Sequence, residues 1–415
     1  MFKLPKVLRY QNFRRLYIAG LTSELGSFVS ETALMLLVFE LSNHNKSYLG
    51  AARAVFLFFL TIGNLIGGVI GEKYNRKSVL LFTNYIRIPI IFTIIFAKTP
   101  EVVILCDGLI ALFTGMYNPT RQAMVNDIVP QKDMNRANAL FGSAFAVLHM
   151  IGPFLGATMF TAFGGIKEVI ALDFLTYIVG IYFIMNLTYN PPKQEVDSES
   201  FFSEIKNGIK YARTQKELFA VISNVIIEGL VLGFMFPLIL PYLTETLGAS
   251  KQDYGIALAL FGLGGLFGGW ASSTILKDKP VGRLIITTLY LEPILMGIWL
   301  YTASYTATLM IFAIWGFVVF VRITNQLNYV SLKVETKYLA RIFALLDLGF
   351  VVPNILGGII LTFVGNQFAT EEILIVVCIA FCALIFPRML FSDMKALFNL
   401  NNETVDRDTS IQDKI

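Results

Sequence analysis

Apolar runs of about twenty residues recur twelve times along this chain, and no other feature limits its fold so strongly. About twenty such residues carry a helix across the ~30 Å hydrocarbon layer of a bilayer. The runs cover residues 16–41, 49–71, 78–97, 101–123, 138–164 and 167–187, then 219–246, 252–276, 282–302, 305–329, 342–366 and 371–391. Inside lipid each backbone N–H and C=O must be paired within its own segment, so runs of this length are helices. Composition points the same way: 55% of the chain is hydrophobic and 15% is charged, against roughly a quarter charged in soluble domains. The expected fold is an all-α integral membrane protein, with twelve transmembrane helices in two pseudo-symmetric six-helix bundles.

Most links between runs are short, which makes neighbouring spans antiparallel. One is long and polar, begins with Pro191-Pro192, and carries a helical pattern through Phe201, Phe202, Ile205, Ile209 and Tyr211. The expected organisation is an N-terminal bundle over 1–189, a linker with a surface helix over 190–217, a C-terminal bundle over 218–394 and a tail over 395–415. Lys and Arg number 26 on one side of this arrangement and 4 on the other, with Arg53, Arg87 and Arg322 inside spans. The positive-inside rule then places both termini and the linker in the cytoplasm. The basic N-terminus runs into an apolar stretch that continues to about Leu41, so it reads as a retained first span rather than a cleaved leader. A multi-pass protein of the plasma membrane or bacterial inner membrane is expected, as a monomer. The net charge of +4 is scattered and provides no nucleic-acid surface.

The two halves echo one another. "GNLIGG" (Gly63 to Gly68) matches "GGLFGG" (Gly264 to Gly269) at an offset of 201, and "MIGPFLGA" matches "VVPNILGG" with Pro153 and Pro353 offset by 200. Halves repeated in the same orientation fit parallel repeats about the membrane normal. Small residues three or four apart let helix backbones approach closely.

The stretch "GGVIGEKYNRKSVLL" resembles the cytoplasmic loop signature of the major facilitator superfamily through Gly68, Glu72, Lys73, Arg76 and Lys77. Glu72 stands where the family has Asp. Asn75 replaces a glycine, and Asn tolerates a left-handed backbone. The resemblance implies a gate: Glu72 capping or pairing with a neighbouring helix, and Arg76 and Lys77 binding acids or lipid headgroups. "HMIGPFLGA" resembles the bend of the family's antiporters through Gly152, Pro153 and Gly156. Pro153 removes a backbone donor and bends its helix. "NFRRLYIAGLTSELGSFVSETALMLLVFEL" and "YNPTRQAMVNDIVPQKDMNRANAL", with Asn118, Pro119, Arg121 and Gln122, resemble the efflux branch that includes macrolide and siderophore exporters.

Ionisable groups inside spans cost roughly 2.5 kcal/mol or more each and face the bundle interior. Glu24 and Glu31 lie seven residues apart, which puts them about 20° apart around one helix and ~10 Å along it. Both can line one cavity, with Ser27 and Ser30 beside them. In the superfamily's layout the first, fourth, seventh and tenth spans line that cavity, which adds Glu228, Asp107 and Arg322 as candidates for proton coupling or substrate contact. A carboxylate in a low-dielectric cavity favours its neutral form, so Glu31, with Glu24 second, is the expected proton carrier. The competing reading is structural pairing: Arg87 or Arg53 with Asp107, and Arg322 with Glu292 or Asp347. Glu40 reads as interfacial.

The resulting expectation is a secondary active transporter. It would be a proton-coupled antiporter exporting small amphipathic compounds, drug-like or siderophore, by alternating access. Import of a siderophore, metal ion or other solute is the alternative, and a membrane scaffold or sensor without flux is a third. No GxxxxGK[ST] loop, nucleophile–base pair or metal-ligand spacing occurs in the sequence. The chain therefore reads as no enzyme, with no cofactor and no metal, and with protons, lipid and a small-molecule substrate as its partners. Cys106, Cys378 and Cys382 all fall in apolar runs and read as small packing residues.

Overall fold

The computed structural model describes residues 5–189 and 201–400. Every regular element among them is helical. The long helices are α1 (Gln11–Leu41), α2 (Lys46–Lys73), α3 (Arg76–Ile95), α4 (Pro100–Ile128), α5 (Met134–Phe163), α6 (Lys167–Met185), α8 (Lys216–Pro241), α9 (Lys251–Ser273), α10 (Val281–Thr302), α11 (Tyr305–Lys333), α12 (Thr336–Val364) and α13 (Thr370–Ile385). Each of the twelve apolar runs coincides with one of them. Eleven are long and apolar enough to cross a membrane by length and composition. The exception is α1, which has 31 residues but carries Arg14, Arg15, Glu24, Glu31 and Glu40 along its length. It is sheltered by its neighbours, packing on α5, α6 and α4.

Two short helices complete the set. α7 (Phe201–Thr214) docks on α12: Tyr211 stacks on Tyr338 at 4.2 Å, and Ala212 is buried. Ile209, expected as an apolar contact, is 40% exposed, because α7 meets α12 through the stripe of Gly208, Tyr211 and Ala212 instead. Pro191-Pro192 and the side chains of Phe201 and Phe202 lie outside the described residues, as does most of the expected tail. α14 (Ser392–Phe398) has no counterpart in the sequence expectation. It seats Met394 and Leu397 against α8 and α10, and Arg388 clamps it through Asp393 at 2.7 Å.

The chain forms two compact units. The first holds α1–α6 together with Ser250–Ala259 of α9, and the second holds α7, α8 and the remainder from Leu260 onward. The short stretch of α9 joins the first unit through an ion pair of Lys251 with Glu40 and through Gly255, which sits over Pro153 and Ala157. Glu40 is thus a paired residue rather than a merely interfacial one.

The internal repeat is visible in packing as well as in letters. In the first unit the backbone of Gly63 meets Leu112, that of Gly67 meets Met116, and that of Gly115 meets Leu60. In the second, Gly264 meets Ala313, Gly268 meets Phe317 and Gly316 meets Phe261. Each of these pairs is displaced by 201 positions. The same displacement relates Gly156 on Val29 to Gly357 on Leu230. The register of the fifth span is therefore 201 rather than the 200 that its prolines suggest: Gly156 corresponds to Gly357, and Pro153 to Asn354.

Candidate transport site

The gate signature folds as a bolt between helices of the first unit. α2 ends at Lys73, and Asn75 caps α3 by accepting the Lys77 N–H at 3.0 Å. Asn75 sits at φ −60°, so this turn uses no left-handed residue, contrary to the expectation from the missing glycine. The capping side chain does the work, which is a standard role for Asn at a helix start. Arg76 is buried. Its Nε donates to the Gly71 carbonyl at 3.1 Å, and its guanidinium ion-pairs with Asp127 near the end of α4. The Tyr189 hydroxyl donates to the same carboxylate. Burial and the adjacent Asp127 push the Tyr189 phenol up to about 12, so it remains a donor at neutral pH.

Lys77 donates to the carbonyls of Met185, the last residue of α6, and Leu187 just after it, both at 2.7 Å. It meets the negative pole of that helix rather than an acid or a lipid headgroup. Glu72 is exposed and has no ion pair or hydrogen bond among the described residues, and Lys73 is exposed beside it. Gly68 has open space where a side chain would stand. Asp127→Asn is expected to raise amide hydrogen exchange in the first turn of α3 at least tenfold while leaving α8 unchanged. Unaltered exchange at residues 76–79 would show that the bolt carries no load.

The antiporter-like bend lies against α1. A side chain at Gly152 would strike Phe28, and one at Gly156 would strike the Val29 carbonyl. α5 therefore approaches the backbone of the helix that bears the acids. Phe28 meets His149 of α5 in a tilted ring contact, ring centres 4.2 Å apart.

The acids themselves gather in the first unit. An internal cavity of about 40 Å³ is lined by Ser27, Ser30 and Glu31 of α1, by Asp107 and Thr114 of α4, and by Asp173 of α6, with Tyr177 at its wall. That volume holds a few water molecules. A smaller adjoining space adds Arg53 of α2, whose Nη1 stands 3.8 Å from Glu31 Oε1. Tyr254, fully buried on the Ser250–Ala259 stretch, is an electrostatic neighbour of both Glu31 and Arg53.

Three carboxylates thus share one cavity, with Arg53 at one edge and Arg87 at another, where it donates to Thr114 at 3.4 Å and lies over Tyr177. Arg53 pairs with Glu31, while Asp107 is only a weaker electrostatic neighbour. Although Asp173 is an electrostatic neighbour, Arg87 makes no ion pair among the described residues. It donates to the Thr83 carbonyl at 2.9 Å and to Asn84 Oδ1 at 3.2 Å, and it lies over the rings of Tyr117 and Tyr177. Glu24, one heptad from Glu31, has Arg121 as its strongest charged neighbour, without an ion pair between them.

Two buried charges in and near this site were not among the residues expected to line it. Asp173 is 2% exposed and held by Thr176, and only its position within an apolar run marked it. Arg121 is among the 26 basic residues assigned by sequence to the cytoplasmic side. It lies inside α4, is 5% exposed, and sits over the rings of Phe141 and Phe145 at 4.8 and 4.9 Å.

The second unit holds a different constellation. Arg322 of α11 donates to Glu228 Oε2 of α8 at 2.8 Å and also pairs with Glu292 of α10; all three are at most 4% exposed. The pairing of Arg322 with Asp347 does not occur, because Asp347 is on an exposed face of α12. Glu228 and Arg322 therefore belong to a buried triad within the second unit.

Two units built on one repeated helical pattern, with charges kept between spans, have the construction of a secondary transporter. The chain belongs to the Major Facilitator Superfamily, whose profile matches residues 16–358. An uncharacterised MFS-type transporter of Bacillus subtilis, YkuC, is 23% identical over 325 residues, covering 74% of this chain and 73% of that protein. The multidrug efflux pump Tap of Mycolicibacterium fortuitum is 22% identical over 315 residues, 72% and 76% of the two chains. In three dimensions the fold matches a crystal structure of a variant of the nucleoside transporter NupG. The TM-score is 0.73 at 12% identity, over 93% of this chain and all of the other. The protein is a transporter rather than an enzyme.

Proposed function

We propose that the protein is a proton-coupled antiporter that exports small amphipathic, drug-like compounds by alternating access. Both termini would lie on the cytoplasmic side. The observation that supports this reading is the cavity in the first unit, where Glu31, Asp107 and Asp173 face one small space with Arg53 and Arg87 at its edges. Three carboxylates beside two guanidiniums cannot all be charged cheaply out of water, so such a cavity takes up a proton and gives it back when its exposure changes. Glu31 is the carrier in this reading, because it touches both the cavity and Arg53. Glu24 is the second acid, one heptad along the same stripe. The bend at Gly152, Pro153 and Gly156, which resembles that of antiporters, and the similarity to a multidrug pump favour export. No siderophore transporter is among the relatives described above, and the proposal is confined to drug-like amphiphiles.

The test is Glu31→Gln in proteoliposomes with an imposed pH gradient. Transport of an amphipathic dye driven by the gradient is expected to fall at least tenfold, while exchange of dye without a gradient persists. Gradient-driven transport at the wild-type rate would remove Glu31 from the coupling path.

A further inference from the structure

The repeat makes Arg121 and Arg322 equivalent, since they stand 201 positions apart on α4 and α11. Their surroundings differ sharply. Arg322 is neutralised by Glu228 and Glu292. The positions 201 before these acids are Ser27 and Ile91, and neither carries a charge. Arg121 accordingly makes no hydrogen bond or ion pair among the described residues. Its Nε and Nη1 are buried and unpartnered, as are the Tyr117 hydroxyl one turn away and Asn118 Oδ1. A guanidinium is always charged and offers five donors in a fixed fork. Contact with two phenyl rings offsets only part of the cost of leaving it unpaired.

Arg121 also faces the cavity side of α4. Residues 107, 114 and 121 are spaced by heptads and stay within about 40° of one another around the helix, and Asp107 and Thr114 both line the cavity. Ser27 and Ile91, the two uncharged stand-ins for the acids, line it too. Among the described residues, Glu24 is the carboxylate with Arg121 as its strongest charged neighbour, and it is not paired with it.

We infer that Arg121 is the receptor for an anionic oxygen group, a carboxylate or its like, on the transported compound. Phe141 and Phe145 hold the guanidinium in place, and the Glu24 carboxylate nearby weakens its pull on an anion without pairing with it. This rests on the reading of the chain as an exporter of amphiphiles and narrows its cargo to those with an anionic head.

The experiment measures equilibrium binding to the full chain in nanodiscs with no pH gradient, so that a failure of proton coupling cannot affect it. The probes are 1-naphthoate, neutral 1-naphthamide and cationic 1-naphthylmethylammonium, which share one aromatic body. The wild type is expected to bind naphthoate at least tenfold more tightly than the amide. Arg121→Gln should bring that ratio to within twofold, and Glu24→Gln should tighten naphthoate binding severalfold. Ser27→Glu, which rebuilds the acid of the second unit, should abolish the preference while Arg121 remains. That variant decides the matter if Arg121→Gln fails to fold.

A wild type without preference for naphthoate, or a preference that survives both Arg121→Gln and Ser27→Glu, would overturn the assignment. Naphthoate affinity is expected to be equal in phosphatidylcholine and in discs with 30% phosphatidylglycerol. A large loss in the anionic discs would mean that a lipid headgroup is the occupant, and would overturn it as well.

Discussion

Arg322→Met is expected to destabilise the second unit by about 3–5 kcal/mol, because it leaves two carboxylates buried with no counter-ion. The geometry is unforgiving. Arg322 is 2% exposed, Glu228 and Glu292 are each 4% exposed, and the three come from three different helices. No side chain can swing to water without opening the packing between α8, α10 and α11. The two acids are not equivalent to the base. With two carboxylates for one guanidinium, Glu228→Gln leaves a matched pair of Arg322 with Glu292, and is expected to change stability by about 1 kcal/mol or less. Neutralising all three at once, as Arg322→Met with Glu228→Gln and Glu292→Gln, should recover most of the loss. The readout is convenient, since Trp270, Trp299 and Trp315 all lie in the second unit, and tryptophan fluorescence during thermal unfolding in detergent reports on that unit. An Arg322→Met protein that melts with the wild type would mean that the triad is not closed as described.

The fold was legible because lipid simplifies the code. An apolar run of twenty residues has essentially one solution, and each of the twelve runs became a helix. The linker helix was visible too, although which of its residues touch α12 was not. Amphipathic spacing placed Ile209 on the buried face, whereas the close approach at Gly208 rotated the contact toward Tyr211 and Ala212. α14 escaped notice because seven residues are too few for a periodic pattern, and its stability comes from Met394 and Leu397 sinking between two longer helices.

The site was legible in outline only. The heptad spacing put Glu24 and Glu31 on one stripe, but only Glu31 is among the residues lining the cavity, and the spacing did not show that Asp173 reaches it from α6. Which arginine meets which acid depends on helix rotation and rotamer, and sequence carries neither. Arg53 therefore turned out to serve Glu31, and Arg87 a pair of tyrosines. Arg121 was misplaced for a physical reason. An arginine near a span end ordinarily snorkels to the interface, and it was counted there. The signal that could have corrected this was already in the chain, because the offset that aligns the glycines also aligns Arg121 with Arg322.

That same offset predicts where the structure tolerates no side chain at all. Gly115→Ala is expected to be among the most damaging single-methyl changes in the first unit. A Cβ there would meet the Leu60 carbonyl, with Asn64 N at 2.7 Å and the Gly63 carbonyl carbon at 2.9 Å, all of it backbone of α2. Side chains can yield by changing rotamer, but a helix backbone can only move away. Overpacking a core costs about 1–3 kcal/mol, and a clash with main chain belongs at the upper end of that range. The cost is compounded because α2 and α4 owe their close packing to these glycines. Gly316→Ala should do the same to α9 and α11 in the second unit, where the Phe261 carbonyl occupies the equivalent place. Gly68→Ala supplies the contrast: nothing lies within 4 Å of the added methyl, and alanine's helix propensity favours it by up to about 1 kcal/mol. Cys106, buried on α4, reports on the first unit in a Cys378→Ser/Cys382→Ser background. Its reaction with a maleimide dye on heating should begin at markedly lower temperature in Gly115→Ala and at an unchanged or higher one in Gly68→Ala. Equal onset for Gly115→Ala and wild type would show that α2 and α4 are free to part, and that the glycine seam does not set their distance.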